Sequence, residues 1–171
     1  ITKVSDKIKA IKYDKKVELS SDVKKAIQQA DLIIFSSGSL LTSILPNLAV
    51  EGIVDEINNS KARKLYVCNL VTQPGETDDF KVSDHIKYLE KYLGQGAIDA
   101  VIANSKAISP YIAKKYATSE QKEPVEIDEQ TLKRMNVEVI KDGLWKVENN
   151  VLRHDSLKTA YLIFSYIMEG E

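Results

Sequence analysis

The chain has 171 residues, enough for one domain with a sizeable core, and its 24 basic and 25 acidic residues leave a formal net charge of -1. That balance, without any basic run interleaved with aromatics, argues against a nucleic-acid partner, and no apolar run approaches the roughly 20 residues of a membrane span. No secretory signal is visible, so a cytoplasmic location is expected; the single cysteine, Cys68, lies in an apolar run and reads as a buried structural thiol.

The first residue is Ile1, not methionine, and residues 1–171 are expected to be one α/β portion of a longer chain. Ile8 to Tyr13 reads as a lysine-rich edge strand, Ile8 and Ala10 on one face, Ile11 and Tyr13 on the other. Ser20 or Ser21 can then cap a short helix whose apolar face is Val23, Ala26, Ile27 and Ala30.

Leu32 to Phe35 is an unbroken apolar run, too short for a helix and expected to be a strand buried on both faces. Ser36, Ser37, Gly38 and Ser39 carry no bulky side chain, and Leu40, Leu41, Ile44 and Leu45 return at helical spacing. Strand, small-residue turn and helix start together aim backbone N–H groups and hydroxyls at an anion. Pro46 is expected to interrupt that helical turn, which restarts beyond Asn47 and carries Val50, Ile53, Val54 and Ile57 to Asn58.

Lys64 to Leu70 is the next predicted strand, delivering Asn69 into a polar loop, Val71 to Lys81, that turns at Pro74-Gly75. Val82, Ile86, Leu89 and Leu93 mark a helix closed by Gly94 and Gly96, with Ser83 and Asp84 at its start. Ile98 to Ala103 is a buried strand ending in Asn104-Ser105, and Ser109 to Ala117 a helix with Pro110 in its first turn.

From Gln121 the rhythm changes. Glu123 to Ile127 reads as extended, Asp128 as the cap of a short helix through Leu132 and Met135, and Val137 to Ile140 as a strand joined by an Asp142-Gly143 hairpin turn to Leu144 to Val147. Asp155 caps a last helix whose Leu157, Ala160, Tyr161, Phe164 and Ile167 are expected to face the core.

Strands alternating with helices predict a doubly wound, mainly parallel sheet with helices on both faces, Rossmann-like, plus a C-terminal β-hairpin and helix. Ligands of such sheets bind beyond the carboxyl ends of the strands. Ser36 to Ser39, Asn69 to Asp79 and Asn104-Ser105 then share one rim.

Gly38 to Asn47, Tyr66 to Asp78, Val82 to His85, and Arg153-His154-Asp155 are carried at spacings that resemble the gluconeogenesis factor (YvcK) family, related to the phospholactate transferase (CofD) family. The likeness is to the carboxyl-terminal half of those chains. Their amino-terminal glycine-rich loop has no counterpart, and where the family has Gly-Pro-Gly-Ser-Leu-Tyr-Thr-Ser this chain has Ser36, Ser37 and Leu41 at the first, second and sixth places.

The resemblance implies a UDP-sugar-binding regulatory factor needed for growth and cell shape under gluconeogenic conditions, with a nucleotide-sugar such as UDP-N-acetylglucosamine as ligand. Protein partners and a homo-oligomer are open. The alternatives are a phospholactyl-type transferase acting on a nucleotide-activated donor with a divalent metal, and a protein-interaction factor with a vestigial cleft.

The candidate ligand contacts are Gly38, Ser39, Thr42 and Ser43 for a diphosphate, Asn69, Thr72, Gln73, Glu76, Thr77 and Asp78 for the sugar or base, and Asn47 as a further contact. Gly38 permits close backbone approach. Glu76, Asp78 and Asp79 can hold Mg²⁺ beside a diphosphate, although no cofactor is required and no resident metal is expected. The spacing is neither a Walker loop nor a dinucleotide fingerprint. His85 is a candidate acid or base, while His154 and Asp155 read first as helix entry.

Overall fold

The computed structural model describes residues 11–169. Helix α1 (Ser21–Gln29) opens on Ser20, whose hydroxyl accepts the Val23 N–H, and leads into strand β1 (Leu32–Phe35). Of the edge strand predicted at Ile8 to Tyr13, residues 8–10 lie outside the described part, and Ile11 to Tyr13 form no strand.

A π-turn over Leu40–Ile44 passes directly into α2 (Leu45–Leu48), followed by α3 (Ile53–Asn59). Pro46 therefore does not break the helix. It sits in the first turn of α2, where a missing N–H costs nothing, and the break falls at Gly52, whose φ of 86° only glycine adopts easily.

Strand β2 (Arg63–Val67) leads through the polar loop to α4 (Val82–Leu93), and then come β3 (Ala100–Asn104), α5 (Pro110–Glu120), α6 (Glu129–Arg134) and β4 (Glu138–Asp142). β1 to β4 form one parallel sheet in consecutive order, with Ile34 opposite Leu65 and Ile102 opposite Ile140.

Alternation along the strands sorts the core into two faces. Phe35, Tyr66, Cys68 and Val101 pack with α2, α3 and α4, through Leu45, Ile57, Ile86 and Leu89. Leu65, Ala100 and Ile102 pack on the other face with Leu144 and Tyr166. Helices thus cover both faces, as the alternation of elements implies.

β1 is nevertheless an outer strand of this sheet, and Ile34 is 43% exposed, so Leu32 to Phe35 is not buried on both faces. An apolar run specifies a strand but not its position in the sheet.

The hairpin is present but displaced. β5 (Trp145–Glu148) pairs antiparallel with β6 (Val151–His154) around Asn149-Asn150, both at positive φ, a turn that asparagine tolerates. Asp142-Gly143 is not the turn, because β4 is committed to the parallel ladder with β3; Asp142 instead accepts from Gly143 N–H and from Lys158 Nζ at 2.8 Å.

The last helix, α7 (Ser156–Met168), is capped by Asp155 as expected, yet it turns its predicted core residues outward: Leu157, Tyr161 and Phe164 are 82%, 67% and 62% exposed. Tyr166, with Leu162 and Ile163, meets the sheet instead. Among the described residues no helix is long and apolar enough to cross a membrane.

Candidate functional site

The carboxyl ends of β1 and β2 are stapled together. Asn69, just past β2, accepts the Gly38 N–H through Oδ1 at 3.1 Å and donates through Nδ2 to the Gly38 carbonyl at 2.9 Å. One side chain thus fixes both backbone polar groups of the small-residue turn. A Cβ on Gly38 would stand 3.4 Å from Ser43 Cβ, so the turn is already close-packed there.

A second staple follows. Thr42 Oγ1 donates to Ser39 Oγ, and Ser39 donates on to Glu76 Oε2 at 2.7 Å, with the Thr42 N–H also held by Ser39 Oγ at 2.9 Å. The hydroxyls expected to face an anion are thus already bonded to a carboxylate.

The remaining predicted residues separate into three settings. Thr72 and Thr77 lie behind the rim: Thr72 Oγ1 accepts the Glu123 N–H, and Thr77, fully buried, accepts the Gln73 N–H at 2.9 Å. Asp78 closes the Pro74-Gly75 turn by accepting the Gly75 N–H at 2.8 Å. Ser43 and Asn47 face an apolar groove of about 360 Å³ along the β1 edge, lined also by Ile34, Ile44 and Ile53.

Asn69 and Gln73 instead line a cavity of mixed polarity, about 500 Å³, with Lys122, Arg153 and His154 and the apolar Leu70, Val71 and Leu152, and Gly38 borders both cavities. Gln73 Oε1 is buried without a hydrogen-bond partner among the described residues. Lys122 is brought there by the left-handed Gln121 that ends α5, and its ammonium pairs with Glu120 at 2.6 Å. His154 Nε2 faces the Cys68 carbonyl at 3.1 Å, which assigns the ring proton to that nitrogen, and burial holds the imidazole below its ordinary pKa.

Lys122 was not foreseen, because nothing in its neighbourhood announces a ligand; Arg153 was visible as part of a recognisable segment but not as a contact. Asn104 takes no part in the cavity and instead accepts the Leu144 N–H at 3.0 Å, while its amide donates to the Lys106 carbonyl.

Two candidates are withdrawn into the core. His85 is fully buried with Nδ1 3.0 Å from the Lys81 carbonyl, edge-on to Phe80 and stacked near Tyr66, and desolvation lowers its pKa. It reaches no cavity of the rim. Burial pushes the Cys68 thiol up to about 12, which leaves it protonated and inert.

Asp128, expected to cap α6, makes no such bond; its carboxylate accepts the N–H and the hydroxyl of Ser83 at 3.0 and 2.6 Å and so caps α4 from a distance. The helix start under the polar loop is thereby tied to the segment that carries Lys122.

For Mg²⁺ the fit is partial. Glu76 and Asp78 are hard oxygen donors near the rim, but no group of three or more His, Cys, Asp or Glu that could hold a metal gathers among the described residues. A cation here would take most of its ligands from a bound diphosphate and water. A larger cavity, about 740 Å³, lies at the opposite end of the strands among Arg63, Asp99, Glu129, Lys133 and Glu138, a mixed-charge surface distant from these residues.

Residues 1–145 match the family described as 2-phospho-L-lactate transferase CofD. The chain is 45% identical over 143 residues to the gluconeogenesis factor of Bacillus subtilis, covering 84% of this chain and 45% of that protein. It is 42% identical over 147 residues to the gluconeogenesis factor of Halalkalibacterium halodurans, covering 86% and 44%. The crystal structure of a Bacillus halodurans member of the upf0052 family superposes with a TM-score of 0.83 at 40% identity, over 88% of this chain and 48% of that one. The chain spans about half the length of the relatives it matches.

Proposed function

The chain belongs to the 2-phospho-L-lactate transferase CofD family, and on that premise we propose that it is the carboxyl-terminal half of a regulatory factor that binds a nucleotide-sugar of the UDP-N-acetylglucosamine class. Its role is in growth and cell shape on gluconeogenic carbon. The name gluconeogenesis factor, borne by relatives from two bacilli, supports the metabolic part of this reading.

The observation that carries the ligand is the cavity that Lys122 and Arg153 line together with Gly38, Asn69 and Gln73. A nucleotide-sugar brings a diphosphate, a hydrogen-bonding sugar and a base. Lys122 and Arg153 meet the diphosphate, Arg through its planar fork. Asn69 holds the Gly38 backbone at the cavity wall, and Gln73 offers its amide to sugar or base, its carbonyl having no partner among the described residues. The Ser39, Thr42 and Glu76 chain holds the turn in place, and Glu76 with Asp78 supplies oxygens to any Mg²⁺ carried in with the diphosphate.

Magnitudes favour this arrangement over a site at the turn alone. Micromolar binding needs about 8 kcal/mol. A helix terminus contributes about 0.3 to 2 kcal/mol, whereas each charge-assisted hydrogen bond adds about 1.5 to 3 kcal/mol.

The test is calorimetric titration of the complete chain with UDP-N-acetylglucosamine, with and without Mg²⁺, beside Lys122→Ala and Arg153→Ala. Saturable binding weakened roughly 10- to 150-fold by each substitution, the equivalent of one charge-assisted bond, with intact ligand recovered, is the expected result. Consumption of the ligand replaces the sensor by a transferase. No heat from folded protein leaves an interaction factor.

A further inference from the structure

Most hydrogen-bonding groups of the small-residue turn are already in use. Asn69 takes both backbone groups of Gly38, Ser39 Oγ accepts from Thr42 and donates to Glu76, and the Ser43 carbonyl accepts from the Asn47 amide. Ser39 and Thr42 can therefore meet an anion only by giving up their chain to Glu76. Ser36 and Ser37 differ from them. Neither hydroxyl, nor the Ser37 N–H, bonds another group among the described residues.

The two serines stand in different places. Ser36 is exposed and lines only the apolar groove along β1. Ser37 is half-buried and, beside Gly38, borders both that groove and the cavity that Lys122 and Arg153 line. No carboxylate lines this cavity, so it favours an anion. An anion drawn there by Lys122 and Arg153 finds in Ser37 a hydroxyl and an N–H that are not yet in use.

Proline stands at this place in the motif that the chain resembles, and proline has neither an N–H nor a hydroxyl. Ser37 thus gives this chain two donors where that motif has none.

We propose that Ser37 is a ligand contact that sets the affinity of the rim, donating through its hydroxyl and its N–H to the diphosphate that Lys122 and Arg153 attract. The inference rests on the nucleotide-sugar reading of the rim, and it moves the anion contact of the turn from Ser39 and Thr42 to Ser37.

The experiment is calorimetric titration of the complete chain with UDP-N-acetylglucosamine and, separately, with UDP, beside Ser37→Ala, Ser37→Thr, Ser37→Pro and Ser36→Ala. Ser37→Ala should weaken both ligands roughly 10- to 150-fold, the equivalent of one charge-assisted hydrogen bond. Ser37→Thr keeps the hydroxyl and should restore most of that loss; Ser37→Pro removes both donors and should cost at least as much as Ser37→Ala. Ser36→Ala should bind like the parent chain. The thermal melt of Ser37→Ala should also match the parent, since the hydroxyl holds nothing inside the described chain.

Parent-like affinity in Ser37→Ala overturns this inference and leaves the nucleotide-sugar reading standing. A loss that Ser37→Thr does not restore, or that comes with a lowered melt, does the same. A loss with the nucleotide-sugar that UDP does not match overturns the diphosphate contact. A parent chain that binds neither ligand overturns this inference together with the reading on which it rests.

Discussion

Helices α4 and α7 are close in length, and each packs one side on the same sheet, from opposite faces. α4 buries Val82, His85, Ile86, Leu89 and Leu93 and turns Lys87 and Lys91 to solvent. α7 buries Tyr166 and turns out Leu157, Tyr161, Phe164 and Met168. The difference teaches that an amphipathic helix announces its own buried side, whereas a helix apolar all round declares two contacts without saying which is internal.

The sharpest way to break that contrast is truncation at the buried side of α4. Leu89→Ala removes a fully buried side chain among Tyr66, Ile86 and Leu93, and should destabilise by about 2 to 5 kcal/mol in a denaturant melt. A loss under about 1 kcal/mol would mean that this face is loosely packed.

Next comes the remote cap of α4. Asp128→Ala leaves the Ser83 N–H and hydroxyl without their partner in a buried place, and should cost about 1 to 3 kcal/mol. Ser83→Ala in the same background should then add little, since both act on one pair.

A smaller, pH-dependent effect follows from His85. Its folded pKa lies below the ordinary value of 6.5 because burial disfavours the imidazolium. The unfolded chain therefore binds the extra proton first, and stability should fall as pH drops through 6.5 toward the lowered folded value. His154, depressed for the same reason, acts in the same direction. Urea midpoints measured from pH 7.5 downward check the sign. A flat profile in a His85→Gln, His154→Gln double variant would assign the slope to these two groups.

The smallest effect on stability is expected on α7. Phe164→Ala removes a side chain that is 62% exposed and should change stability by no more than about 0.5 kcal/mol, in contrast to Leu89→Ala. A large loss would show that the outward face of α7 is already covered within the chain.

Much of the architecture was legible before any coordinates. The short apolar run at 32–35 is a strand and that at 98–103 carries β3 from Ala100, the stripe from Val82 to Leu93 is a helix, and Ser20 and Asp155 each cap the helix they precede. Local chemistry suffices for such assignments, because caps and periodicity act over a few residues. The hairpin was misplaced for the opposite reason: Asp142-Gly143 has good turn chemistry, but β4 finds its partner in β3, some forty residues earlier, and the antiparallel pair forms one strand later around Asn149-Asn150.

The amino-acid sequence by itself determined the elements, their parallel arrangement and the rim on which Gly38, Asn69 and Gln73 stand, since all of these follow from side-chain period and connection order. Only the tertiary structure decided which donors are already spent and which face of α7 is inward. It placed Asn69 on the Gly38 backbone, Glu76 on Ser39 and Asp128 on Ser83, and it brought Lys122 and Arg153 to one cavity from places 31 residues apart. Hydrogen bonds and charges that converge from distant segments depend on the packing of the whole chain, and that packing leaves no local trace in the sequence.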